Sequence, residues 1–136
     1  MRNSAKAAAA TAAPLDKTGL VLLELAAWAV PGAAHLWLGR RQKGLVFLIV
    51  LPLMFAMGLA LDGRLFPFDL SQPLVALAAV ADVGLGVPFI LAKMAGAGAG
   101  RVTSLTFEYG NAFLIVAGLL NFLVMLDAYD VALGRK

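Results

Sequence analysis

The sequence contains no cysteine, a single histidine and only 14% charged residues in 136. Without cysteine there are no disulfides and no thiolate metal sites, and the redox compartment cannot be read. One histidine without cysteine does not make an ordinary zinc site. Serine is scarce as well. Ser4, Ser71 and Ser104 fall in an expected tail or in loops, far in sequence from His35, so no nucleophile–base pair is written into the chain. The Gly/Ala-rich stretch 93–101 has separated glycine pairs but lacks the strand and helix that frame a phosphate-cradling loop. These absences argue against an enzyme. No catalytic residue, cofactor site or metal site is expected.

What the sequence does have is apolar surface. Its hydrophobic fraction is 62%, against about 45–50% in soluble domains. A chain this short cannot bury that excess internally, so the expected solvent is lipid. The net charge of +3 does not point to nucleic acid, because the basic residues flank apolar runs, where headgroup contact and topology account for them.

Read in order, residues 1–17 form an Ala-rich tail, expected to be mobile and uncleaved rather than a signal peptide. Residues 18–126 read as one membrane domain with spans over 18–38, 44–61, 74–92 and 107–126, and residues 127–136 as a polar, solvated C-terminal tail. The expected fold is therefore all-α, a four-helix membrane bundle of two antiparallel hairpins. Pro31-Gly32 should break the first helix, since proline removes a donor and clashes with the preceding turn. Gly84, Gly86 and Pro88 should kink or partly unwind the third. Four crossings put six basic residues on one side and five on the other, too even a split for the positive-inside rule. The dense cluster Arg40, Arg41, Lys43 favours a cytoplasmic first turn and lipid-headgroup contact.

Glu24, His35 and Asp82 are the ionisable residues inside expected spans, the default functional candidates in a bilayer. Glu24 and His35 are eleven residues apart, which on an unbroken helix returns them to within about 20° of one face and separates them by roughly 16 Å. The functional reading is a proton or ion path through the three. The structural reading, which weighs more, has each bonded to neighbouring helices, with His35 capping carbonyls at the break. Asn111 and Asn121 suit bonds between helices, and Gly110 and Gly118 suit close approach.

Pro31-Gly32-x-x-His35-x-x-x-Gly39-Arg40-x-x-Lys43-Gly44 resembles the signature of uncharacterised small multi-pass membrane proteins of bacteria, related to the two-transmembrane hairpin domain. Residues 107–111 and 118–136 are similar to the C-terminal half of one such family. The resemblance implies that His35, Gly39, Arg40, Lys43 and Gly44 form the tight turn of a hairpin. It implies no activity, because that family has none assigned.

The expected function is that of a non-catalytic integral membrane protein of the bacterial inner membrane acting by helix association, as an accessory subunit, assembly factor or membrane organiser. Its expected partners are the lipid bilayer and a protein partner or second copy of the chain, with no nucleic acid. The alternative is a small oligomeric transporter or channel using Glu24, His35 and Asp82.

Overall fold

A computed structural model describes residues 16–135; the expected N-terminal tail lies outside them up to residue 15. The described residues are all-α, without strands, in six helices: α1 (Lys17–Ala29), α2 (Ala33–Trp37), α3 (Arg41–Ala60), α4 (Pro73–Val83), α5 (Val87–Met94) and α6 (Phe107–Ala132). Two of these, α3 and α6, are long and apolar enough to cross a membrane, or up to three spans if the bent pair α4–α5 counts as one.

Each boundary has a local cause. The Asp16 side chain accepts from the Gly19 N–H at 2.7 Å and caps α1. Val30 is extended (φ −129°), as the residue before a proline prefers, so α1 stops at Ala29. Gly32 then takes φ +84°, open to glycine at little cost, and restarts the chain as the five-residue α2. The expected first span is thus broken into pieces of 13 and 5 residues. At about 1.5 Å per residue the longer piece reaches roughly 20 Å, short of the ~30 Å hydrocarbon core.

The basic turn is tighter than its glycine spacing suggested. Arg40 N–H bonds His35 O at 2.8 Å and Gly39 N–H bonds Leu36 O at 3.2 Å, a Schellman ending with Gly39 at φ +80°. α3 starts at once, at Arg41, so Arg41, Lys43 and Gly44 are helical and not part of the turn. Gly44 serves packing instead: a Cβ there would lie 2.6 Å from Leu36. Gly39 has open space around its missing Cβ, so only backbone strain opposes a side chain. Gly39→Val is expected to lower stability by about 1–2 kcal/mol, and Gly39→Asn by less. Thermal unfolding in detergent checks both, and an unshifted Gly39→Val midpoint would contradict the strain.

The helix α6 organises the rest. Gly110, Leu114, Ala117, Asn121, Val124, Ala128 and Val131 recur at helical spacing as its buried stripe. Against it α3 runs antiparallel: Gly110 meets Gly58 in the last turn of α3 and Gly63 just beyond it, while Lys43 at the other end reaches Asp127. α6 also continues six residues past the expected span, through Asp127 and Asp130 to Ala132.

The two broken elements fold back on themselves. Leu23, Ala27 and Ala34 cluster with Ala128, with Leu38 and Ala132 packed on them. Both arms of α1–α2 therefore lie along the C-terminal half of α6. The pair α4–α5 bends by 107°. The chain enters it from Leu61, whose carbonyl accepts from Thr106 at 2.8 Å, and leaves it at Gly98, whose carbonyl accepts from Leu65 N–H at 2.9 Å. Arg101 and Asp62 pair across the same two loops at 3.0 Å. Entry and exit of α4–α5 are thus at the end of the bundle where α6 begins. Arg101 first, then Ser104, hold the Asp62 carboxyl below its ordinary range. Because that pKa is depressed on folding, the tie is complete above the ordinary carboxylate pKa and is lost as pH falls through the folded one.

Candidate functional site

The tips of the two broken elements meet at the middle of α6. Asn121, fully buried, donates from Nδ2 to Gly84 O at 2.7 Å and to Trp28 O at 3.2 Å. Trp28 Nε1 donates to Val83 O at 2.9 Å. These three bonds join α1, α4 and α6 at the points where α1 and α4 end. Broken helices leave carbonyls without intrahelical partners, and in a low-dielectric interior each must be satisfied. One asparagine amide, with two hydrogens, supplies two of them. The approach is close enough to require glycine. A Cβ on Gly86 (φ +73°) would sit 1.9 Å from Trp28 O, and one on Gly118 would sit 1.6 Å from Ala81 O.

Asp82 immediately precedes Val83 at this junction and is fully buried. Its Oδ2 accepts from Phe66 N–H at 3.0 Å, tying the α3–α4 loop to α4, and its Oδ1 is buried without a partner. His35, also fully buried, sits at the other end of α1–α2. Its Nε2 lies 2.7 Å from Asp127 Oδ2, which Lys43 reaches at 3.2 Å, and Phe47 stands edge-on to its ring at 5.2 Å. Glu24 is half-buried on α1, with Oε1 buried and unpartnered.

Among the described residues no hydrogen bond or ion pair joins the three candidates to one another. The break at Val30–Gly32 removes the common helix face on which Glu24 and His35 would align. His35 is paired with Asp127, which the sequence reading assigned to a solvated tail. A signal for Asp127 existed: it falls between Val124 and Ala128 on the buried stripe of α6. Asp130 does pair at the helix end, with Arg135 at 3.1 Å. Of the motif residues, Pro31, Gly32 and Gly39 make the break and the turn. His35 hydrogen-bonds Asp127, Lys43 pairs with the same carboxylate, and Gly44 packs. Arg40 and Arg41 stand at the α2–α3 corner, Arg40 partly buried and Arg41 exposed. Among the described residues no cluster of three or more His, Cys, Asp or Glu side chains suits a metal ion.

The chain matches the model of a family of unknown function (DUF6677) over residues 22–136, and it belongs to that family. No curated protein and no solved structure matches it.

Proposed function

We propose that this family member is a non-catalytic integral membrane protein that acts by helix association, as an accessory subunit, assembly factor or membrane organiser in a bacterial inner membrane. The observation that carries this reading is how its intramembrane polar groups are used. Asp82 is bonded to the Phe66 backbone, His35 to Asp127, and Asn121 to two helix-end carbonyls, each within its own local knot. The polar atoms serve to hold broken helices shut on α6. Large apolar side chains line the outside, among them Ile49 and Leu53 on α3 and Leu123 and Leu126 on α6. That surface suits lipid or another helix. Purification of tagged protein from its native membrane in a gentle detergent, with mass determination, tests the proposal. A stoichiometric protein partner supports it; a monomer that carries nothing overturns it.

The membrane arrangement that fits these contacts has two full crossings, α3 and α6, and two half-crossing elements entering from opposite faces to meet at Asn121. This arrangement, rather than two full hairpins, changes the charge count. One face then carries Lys17, Arg40, Arg41, Lys43 and Arg135, and the other carries Arg64, Lys93 and Arg101. The sequence adds Arg2, Lys6 and Lys136 to the segments adjoining the first face. The near-tie of the four-crossing count becomes a clear excess, and the positive-inside rule puts the first face in the cytoplasm.

A transporter is the second reading, favoured by one observation. Half-helices that end at mid-membrane are how many transporters build a binding site, and here Asp82 Oδ1 and Asn121 Oδ1 are both buried and unpartnered. Under this reading Asp82→Asn abolishes proton or cation flux into vesicles while the protein stays folded. Equal flux in the variant would remove the reading.

A further inference from the structure

Two adjoining hollows mark the face where α4–α5 enters. One is an apolar groove of about 440 Å³ walled by Trp28, Phe66, Val83, Phe89 and Phe122, with Lys93 at its edge. It runs to the depth of the Asn121 junction, because Trp28 and Val83 are bonded to each other there. The second, about 370 Å³, is shallower and as polar as it is apolar. It is lined by Arg64, Lys93 and residues 96–99, and it shares Lys93 and Pro67 with the first.

Lys43, Arg101 and Arg135 each pair with a carboxylate, but neither Arg64 nor Lys93 forms an ion pair among the described residues. Their cationic groups instead lie over aromatic rings, Arg64 5.8 Å from the Phe66 centroid and Lys93 5.9 Å from that of Phe89. Those two rings also line the apolar groove. Two cations that form no ion pair among the described residues thus stand at the mouth of a greasy slot that extends toward mid-membrane, with Lys93 within electrostatic reach of Asp82.

We propose that this is a binding site for one anionic phospholipid, its acyl chain in the aromatic groove and its phosphate between Lys93 and Arg64. The site rests on the membrane placement proposed above, and it is separate from the basic corner at Arg40, Arg41 and Lys43. An acyl chain matches walls that offer almost no polar atoms. A zwitterionic lipid fills the groove equally well but gains less from the two cations. Selection by headgroup charge is therefore the property that distinguishes a site from ordinary solvation by lipid.

Trp28 reports on the groove directly. In a Trp37→Phe background Trp28 is the sole tryptophan, and it can be quenched by lipids brominated on their acyl chains. The protein is reconstituted in phosphatidylcholine vesicles with rising fractions of brominated phosphatidylglycerol or brominated phosphatidylcholine. Half-maximal quenching is expected at a several-fold lower fraction of the anionic lipid. Lys93→Gln and Arg64→Gln should each reduce that preference about fivefold, the size expected for one basic residue beside an anionic surface, whereas Lys93→Arg should retain it. Equal quenching by the two lipids, or a preference that survives in the double variant, would overturn the site. Flotation of the same samples distinguishes the two failures: protein that does not float with the vesicles overturns the membrane placement as well as the site.

Discussion

Gly118→Ala is expected to destabilise the protein by about 3 kcal/mol, the upper end of the usual overpacking range. Helix propensity predicts the opposite sign, because alanine in a helix interior is favoured over glycine by about 1 kcal/mol. The contact decides which wins. A Cβ on Gly118 would lie 1.6 Å from the Ala81 carbonyl oxygen and 2.6 Å from its carbon. Both atoms are backbone, so no rotamer change relieves the clash, and α4 has to move off α6. That motion also pulls Gly84 away from Asn121, which bonds its carbonyl at 2.7 Å. Thermal unfolding in detergent should show a midpoint lower by roughly 10 °C. Ala112→Leu, at an exposed position of the same helix, should leave it unchanged. A raised midpoint for Gly118→Ala would mean that α4 does not pack on α6 as described.

Asn121→Leu is the second large effect. Leucine keeps four side-chain heavy atoms but is bulkier than asparagine, so the change combines the loss of two donated hydrogen bonds with some overpacking. It leaves the carbonyls of Trp28 and Gly84 unpaired inside the bundle. An unsatisfied buried acceptor costs about 1–3 kcal/mol, while measured bonds between membrane helices average ~0.6 and reach ~1.7 kcal/mol. Two such losses, partly offset by added apolar burial, give about 2 kcal/mol. The loss is also local. Trp28 emission, read in the Trp37→Phe background, should change, because the tips of α1–α2 and α4–α5 lose their common anchor. His35 and Asp127, at the far end of α1–α2, should keep their contact. An unchanged midpoint together with unchanged Trp28 emission would remove Asn121 as the junction.

These two residues show what the sequence made legible. Asn121 and Gly118 stood out as an amide and a small residue in an apolar run, and both join helices. The runs that became α3 and α6 were plain, because continuous apolar stretches of that length have few alternatives. The breaks at Pro31-Gly32 and Gly84–Gly86 were plain for the same local reason, as proline and glycine dictate where a helix stops. What such a break does not dictate is where the chain goes next. A segment from 18 to 38 has the composition of a crossing whether it continues or doubles back, and only contacts such as that of Ala34 with Ala128 decide. The same limit hid the pairing of His35 with Asp127, 92 residues apart. It also hid the approach of Arg64 and Lys93 to one groove. Hydropathy assigned Asp127 to the tail because Leu126 ended the apolar run, whereas the helical stripe placed it on the buried face.

The measurement that tests the arrangement most directly is sidedness by cysteine labelling, and the cysteine-free sequence makes it clean. Single cysteines at Thr18, Gln42, Ser71 and Val102 all fall at exposed positions. An impermeant maleimide added to intact cells stripped of their outer envelope reports which sites face outward. With two crossings and two half-crossings, Ser71→Cys and Val102→Cys label from outside, and Thr18→Cys and Gln42→Cys label only after permeabilisation. Labelling that groups Thr18→Cys with Ser71→Cys, and Gln42→Cys with Val102→Cys, would mean four full crossings and would contradict the meeting of two half-crossing elements at Asn121.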